Sequence, residues 1–432
     1  MNLHSLDIES LYPQLKNKIT LIAVSGGVDS VVLSHLFSNT NLKFSIAHCN
    51  YCLRSQHSDK DETLVKDLAS RLNVKLFHKK FNTIEYSKIN KCSIQMAARE
   101  IRYNWFEKLL IQNNISFIST AHHLNDQLET FLINIARGSG IEGLVGISES
   151  SKLIRPLLNF TKEEIIDYAK LNKLKWNEDQ SNINNTYLRN SIRNKVVPEF
   201  KKILPNIEKQ FQKSIHHIGL ANIALKSQID SFKLKFFIKT DTGIKIHMKD
   251  LESLYPNDFF LHAIFKKYGF NSSTELLKLI NSSPGKLISS TSHDLLRDRE
   301  CLILRNKSQK KNNFTYQIKL FPQKLKHPFE IEISLKPFID STNSIEVDFS
   351  LSNLILEIKK PYSGAFFYPK GMSGKKKLSK FFKDEKLSKF EKENQWILTY
   401  DDQVVWVIGR RADSRFISKN DSSKRMYIRM KV

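Results

Sequence analysis

From residue 19 onward the chain alternates two hydrophobic rhythms. Residues 19–24 (ITLIAV) are apolar at nearly every position, the mark of a parallel strand buried on both faces, whereas Val28, Val31, Val32, Leu36 and Phe37 recur at helical spacing. Residues 44–49 (FSIAHC), 75–81 (KLFHKKF) and 116–122 (SFISTAH) read as further strands. Residues 59–72, 93–112 and 124–136 read as amphipathic helices. Strands alternating with helices predict an α/β fold, a doubly wound parallel sheet whose ligands bind beyond the carboxyl ends of its strands.

Beyond that sheet the rhythm changes. Thr161 and Glu164 form a capping-box pattern that opens a helix through Leu171, and Pro198 and Pro205 punctuate the next stretch. A long helical pattern covers 206–237 and a helical group 250–282. The polar stretch 306–313 has the composition of a linker, and short alternating strands come after it from Phe314, including 396–400 and 404–409. No internal repeat is evident. The economical division is residues 1–205 as an α/β domain, 206–305 as a helical domain and 314–432 as a small basic α+β domain.

The first strand-to-helix break, SGGVDS, carries the first chemistry. Ser25, Gly26, Gly27, Val28, Asp29 and Ser30 surround a first helical turn whose free N–H groups and dipole attract an anion, and glycines allow a phosphate to approach the backbone. An ordinary turn capped by Ser25 would use the same residue types. A Walker-type loop is disfavoured, because the turn is short and no GK[ST] follows.

At 432 residues the chain is long enough for two or three domains, and its formal net charge of +24 favours a polyanionic partner. No apolar run approaches the roughly 18 residues of a membrane span, and the N-terminus lacks the basic-then-apolar order of a signal peptide, so a cytoplasmic location without a membrane partner is expected. Four cysteines in 432 residues argue against a disulfide framework. Cys49 and Cys52 form a C-x-x-C, but no second pair completes a metal site.

Four further strings concentrate polar groups. AHCNYCLR brings His48, Asn50 and Arg54 to a strand end, and AAREIRY places Arg99 and Arg102 at i, i+3 on one helical face, suited to a phosphate. TAHHLNDQLET packs His122, His123, Asn125, Asp126 and Glu129 into a strand end and helix start, where Asp126 fits as an oxygen ligand for magnesium better than the histidines fit zinc. NEDQSNINNTYLRNSIR offers Glu178 and Asp179, then Arg189 and Arg193 one turn apart, suited to nucleotide phosphates. Each string has a plainer reading as a capped loop or a solvated, salt-bridged helix.

SGGVDS resembles the pyrophosphate-binding loop of the N-type ATP pyrophosphatases. Together with AHCNYCLR, AAREIRY, TAHHLNDQLET, RGSGIEGLVGI, RPLL and EDQSN…RNSIR in that order, it resembles the tRNA(Ile)-lysidine synthetase family, closely over residues 19–200 and more loosely beyond. The resemblance implies an adenine-nucleotide alpha-hydrolase-like sheet that binds ATP through residues 25–30, His48, Arg99, Arg102 and His122. It implies magnesium at Asp29 and Asp126, and catalysis by Asp29, Asp126, Arg189 and Arg193. The implied reaction adenylates the wobble cytidine in the CAU anticodon of an isoleucine tRNA, and the ε-amino group of free lysine then displaces AMP. The proton that lysine must lose has four candidate acceptors, Asp126, Glu129, Glu178 and His122. Tyr51, Gln95 and the lack of an arginine over 389–392 depart from the family pattern. Oligomeric state stays open, a homodimer included.

Two other readings compete. A related tRNA cytidine thiolase would use Cys49 and Cys52, and a non-catalytic RNA-binding protein would keep only the nucleotide fold. Residues 373–392 hold eight lysines against three acids, with Phe381, Phe382 and Phe390 interleaved. Phenylalanines at that spacing are expected to dock the segment and leave the lysines as a positive surface for a tRNA backbone.

Overall fold

The computed structural model describes residues 3–53, 55–178, 188–309, 314–318, 323–325, 330–338, 343–348, 355–417 and 425–431. Arg54 and Asp179, singled out above, lie outside them. Two compact units divide the chain, Met1–Lys226 and Ser227–Val432.

The first unit is built on five parallel strands. β1 (Ile19–Ala23), β2 (Lys43–Asn50), β3 (Leu76–Lys80), β4 (Phe117–Ser119) and β5 (Leu153–Ile154) take the order β3-β2-β1-β4-β5. Leu21 and Ile22 in β1 are fully buried because helices cover both faces of the sheet, which explains the unbroken apolar run. α1 (Val28–Ser38) packs on one face with α5 (Lys162–Leu171), in a core that includes Val32, Phe37, Ile165 and Tyr168. α3 (Ile94–Gln112) covers the other face through Phe106 and Leu109, against Leu21 and Ile118. Between them in sequence, α2 (Ser55–Arg71) follows β2, and α4 (Leu124–Ala136) follows β4.

The strand order reverses between β1 and β4. The loops leaving these two neighbours diverge to opposite faces, so a crevice opens at their carboxyl ends. Ile22 of β1 lies opposite Ser119 of β4, which brings Ser25 and His122 to the same edge.

A helical stretch from Leu188 through Ile203, with a wider π turn over Ile192–Val196, then packs on α4 through Ile192 and Val197. α6 (Ile207–Phe236) carries the chain from the first unit to the second, as the 206–237 pattern predicts.

In the second unit the helical group expected over 250–282 includes α7 (Asn257–Phe265) and α8 (Ser273–Ile280). The periodicity did not reveal the sheet beside them. β6 (Ile238–Thr240), β7 (Gly243–His247), β8 (Leu287–Ser289), β9 (His293–Asp298) and β10 (Cys301–Asn306) form an antiparallel sheet in the order β6-β7-β10-β9-β8. The β9–β10 hairpin turns through Arg299 at φ 42°, a position where glycine or asparagine would have announced the turn.

The C-terminal part holds two four-stranded sheets. β11 (Tyr316–Ile318), β15 (Leu356–Lys359), β18 (Ile397–Tyr400) and β19 (Gln403–Val407) make one; β12 (Gln323–Leu325), β13 (Ile331–Ser334), β14 (Ser344–Asp348) and β20 (Arg425–Met430) make the other. Ile318, Leu356 and Leu398 of the first share a core with Ile333, Val347 and Ile428 of the second. A small ribbon of β16 (Phe366–Phe367) and β17 (Lys376–Lys377) leads into α9 (Leu378–Asp384) and α10 (Lys389–Asn394). Phe381, Phe382 and Phe390 are all buried, as their spacing implies.

A polar network fixes the end of β2. Glu62 on α2, 8% exposed, accepts from Lys66 Nζ at 2.8 Å and from Asn50 Nδ2 at 2.9 Å, and Asn50 Oδ1 in turn accepts from the Cys52 amide at 3.0 Å. The Lys66 and Asn50 hydrogen bonds hold the Glu62 carboxyl down to about 2. A depressed folded-state value stabilises the fold above the ordinary glutamate range, and the benefit fades as pH falls from about 4.5 toward 2. Glu62→Gln is expected to cost about 2–3 kcal/mol at neutral pH and to flatten the stability profile across that window, read by denaturant unfolding at stepped pH.

Candidate active site

A cavity of about 280 Å³ sits at the strand-order reversal. One wall is Ala23, Val24, Ser25, Asp29 and Ser30; Ala47, Cys49, Tyr51 and Phe106 form an apolar floor; Arg102, Thr120, Ala121, His122, Asp126 and Arg189 complete it.

The Ser25–Ser30 loop is held from several sides. Ser30 Oγ donates to Gly27 O at 2.9 Å and accepts from the Ser25 amide at 3.2 Å. Gly26 has φ 97°, and a Cβ there would lie 3.3 Å from Asp61 Cβ, so both conformation and space call for glycine. Its carbonyl accepts from the Asn177 amide at 3.0 Å, while Asn177 Nδ2 donates to Asp61 Oδ1 at 2.8 Å. Gly27 caps α1 without a side-chain hydrogen bond, so no capping oxygen competes for the first-turn amides of Val28, Asp29 and Ser30.

His48 lies beneath this loop and does not line the cavity. Its Nδ1 donates to Val24 O at 2.8 Å, and burial lowers its pKa, leaving a neutral ring that braces the loop. On α3, Arg102 reaches the cavity, whereas Arg99 is exposed over the Tyr103 ring at 4.9 Å and does not line it.

Opposite the loop, two arginines meet two carboxylates. Arg189 gives Nη2 to Asp126 Oδ1 at 3.0 Å and Nε to Glu129 Oε2 at 2.8 Å. Arg193 gives Nη2 to the same Asp126 oxygen at 3.1 Å and Nε to Glu129 Oε1 at 2.6 Å. Asp126 also closes a capping box by accepting from the His123 amide at 3.1 Å. Burial works to raise the Asp126 pKa, but His123 and the two arginines outweigh it and hold the carboxyl below its ordinary value. The carboxylate is therefore ionised at neutral pH.

Asp29 pairs with Lys162 Nζ at 2.6 Å and lies 3.9 Å from His123 Nε2, which is 3.5 Å from Asp126 Oδ2. Lys162 carries no signal of this role in the sequence because its neighbours spell a capping box. Thr161 and Glu164 do form that box, and the Lys162 amide donates to Asn125 Oδ1 at 2.9 Å. Arg155 of the RPLL string, 5% exposed, also reaches the site, its Nε lying 3.4 Å from His122 Nδ1. No feature of the sequence near Arg155 marks that contact.

Asp29 and Asp126 flank one imidazole edge as a pair of oxygen donors. Among the described residues no group of three or more His, Cys, Asp or Glu is arranged to hold a metal. Two carboxylates beside a helix N-terminus with free first-turn amides suit magnesium, which commonly takes one or two carboxylates and completes its shell with water and substrate phosphates. Burial pushes the Cys49 thiol up to about 12, so it is protonated at neutral pH; Cys52 is exposed.

Comparison with known proteins places the chain among relatives along nearly its whole length. A family model described as a PP-loop domain matches residues 3–200, one described as a TilS substrate binding domain matches 239–307, and one described as a TilS substrate C-terminal domain matches 356–429. A tRNA(Ile)-lysidine synthase from Bacteroides thetaiotaomicron is 33% identical over 98% of this chain and 97% of its own. One from Parabacteroides distasonis is 32% identical over 96% and 95%. Among solved structures, the U34-tRNA thiolase NcsA from Methanococcus maripaludis aligns with 47% of this chain and 72% of its own at a TM-score of 0.40 and 17% identity, too far to bear on function. With a third of its residues shared with a curated relative along nearly the full length of both, the chain belongs to the tRNA(Ile)-lysidine synthase family.

Proposed function

We propose that this protein uses ATP to join free lysine to the wobble cytidine of the CAU anticodon of an isoleucine tRNA, through an adenylated tRNA, with release of pyrophosphate and AMP. The observation that carries this reading is the cavity at the β1/β4 reversal, with a phosphate cradle on one wall and an arginine–carboxylate set on the other. Residues 1–205 would do the chemistry, and 206–305 and 314–432 would hold the tRNA.

The 2-oxo group of cytosine leaves poorly as it stands, so it must be activated before an amine attacks. In this scheme the first-turn amides of α1 and the hydroxyls of Ser25 and Ser30 hold the pyrophosphate portion of ATP. Arg102 and Arg189 line the cavity and orient the nucleotide as the cytidine oxygen attacks the α-phosphorus. Magnesium held by Asp29 and Asp126 would screen phosphate charge during that transfer. Lys162, paired with Asp29 at the cavity edge, would be a further cation for a phosphate oxygen.

The wobble base must leave the anticodon stack to enter the cavity, which requires firm anchoring elsewhere on the tRNA. Lysine then attacks as a neutral amine. Of the four candidate acceptors for its proton, Glu178 is exposed and does not line the cavity, and Glu129 already accepts from both arginines. Asp126 and His122 remain.

For tRNA anchoring we propose the lysine-rich segment around α9. Its buried phenylalanines hold the segment, and Lys375, Lys377, Lys380 and Lys383 are exposed. Lys376 is drawn inward to Asp384 at 2.8 Å and is a poor phosphate contact.

Asp126→Asn is expected to slow pyrophosphate release from ATP roughly a thousandfold, with tRNA affinity nearly intact. Normal release would remove Asp126 from the site. Cys52→Ser should leave lysine transfer within a few-fold and the purified protein without iron–sulfur absorbance; an iron band would favour the thiolase reading. Replacing Lys375, Lys377 and Lys380 with glutamine should raise KM for tRNA and reduce the slope of log affinity against log salt by roughly two to three. An unchanged slope in filter binding would mean the tRNA is held elsewhere.

A further inference from the structure

His122 is the cavity-wall group whose chemical form decides what it can do. A neutral imidazole presents either a proton or a lone pair at a given nitrogen, and its neighbours select between them. Two groups approach Nδ1. Arg155 Nε lies 3.4 Å away and Thr120 Oγ1 3.0 Å away. A guanidinium N–H has no lone pair and can only donate, so Nδ1 facing Arg155 must be the acceptor. With Nδ1 bare, the Thr120 hydroxyl also donates to it. The ring proton is left on Nε2.

We propose that Arg155, with Thr120, fixes His122 as the neutral Nε2–H tautomer, so that His122 serves the reaction as a hydrogen-bond donor to an oxygen of the α-phosphoryl group and not as the acceptor of the lysine proton. Arg155 is a positioning residue that acts through the ring.

The setting of Arg155 suits that task. It is almost wholly buried, its guanidinium is anchored to the Ser148 carbonyl, and its amide donates to Glu149 Oε1, which also accepts from the Tyr12 hydroxyl. These contacts fix both its backbone and its head, so the Nε–H keeps its aim. Around His122 the charged groups are Asp126 on α4, Arg102 on α3, Arg155 after β5, and Arg189. Three are cations, which oppose a second proton on the ring, and burial acts in the same direction; the His122 pKa falls to about 4. A ring that stays neutral through the working range, with its lone pair already occupied, makes a poor base and a well-aimed donor. Thr120 is also buried, which holds its side chain in place beside the ring.

This inference rests on the proposed adenylation chemistry for the oxygen that His122 faces, but its first test does not depend on any activity. Protein carrying ring-labelled [15N]histidine, with His122→Gln identifying the resonance, should show at pH 7 a protonated Nε2 and a bare Nδ1. Adding AMP should move the Nε2 signal more than the Nδ1 signal. A protonated Nδ1, or an imidazolium with both nitrogens protonated, would overturn the proposal.

Variants separate positioning from mere support of the fold. Thr120→Val should keep the tautomer, because Arg155 still donates. Arg155→Met combined with Thr120→Val should yield a mixture of tautomers and lower kcat for adenylation at least tenfold, with KM for ATP changing less. Arg155→Lys should restore part of the loss. If the double variant stays folded by circular dichroism and keeps a single Nε2–H form, Arg155 and Thr120 do not set the tautomer. If the tautomer is as stated but no lysidine forms in the parent enzyme, the proposed function fails and the assignment of the ring stands.

Discussion

Two arginines one helical turn apart clasp two carboxylates one turn apart, and the site depends on that pairing. Arg189 and Arg193 each bridge Asp126 and Glu129, so four charges from two segments far apart in sequence are neutralised within one cluster. Side chains of Asp126 and Glu129 are 14% and 2% exposed. Carboxylates so far from water would be costly alone, and removing either cation would leave a charge unpaired. The clasp therefore does two jobs: it docks the helical stretch after Leu188 onto α4, and it keeps Asp126 ionised at the cavity wall. Arg189, which lines the cavity, is held with its geometry already set, which lowers the cost of ordering it around any anion that enters.

The first strand was legible because its centre is buried and reads as a continuous apolar run; β3, half-buried at best, was placed by its alternation with the helices. α4 was expected over 124–136 and spans Leu124–Ala136. β5 was not seen, since a strand of two residues leaves no periodic signal. The sheet in the second unit was hidden for another reason: its longest pair of strands, β9 and β10, turns on Arg299 without a turn residue to mark it.

The site divides along similar lines. The strand-to-helix turn at SGGVDS could be read from its neighbours because a helix start is local, made of consecutive amides. The arginine spacing was legible too, but not its partners, which lie 60 or more residues away. His48 carries the right chemistry for a ligand contact yet points at the Val24 carbonyl, a choice made by tertiary packing. Lys162 sits in a capping-box pattern and Arg155 in the RPLL string, and neither pattern marks the contact each makes at the site. Proximity created by folding is what a linear pattern leaves out.

The buried guanidinium of Arg305 sets an order for assembly of the second unit. At 3% exposure it stacks 3.6 Å over Phe390, pairs with Glu393 at 2.8 Å, and has Asp294 at 3.5 Å. Asp294 belongs to the strand made just before it, but Glu393 comes 88 residues later. During synthesis at about 5–20 residues per second, β10 waits roughly 4–18 s with its charge half satisfied and its apolar cover missing. The antiparallel sheet can pair in that interval but cannot seal. Nascent chains that stop short of α10 would expose a cation and an apolar face together, a surface that chaperones and proteases can read as unfinished.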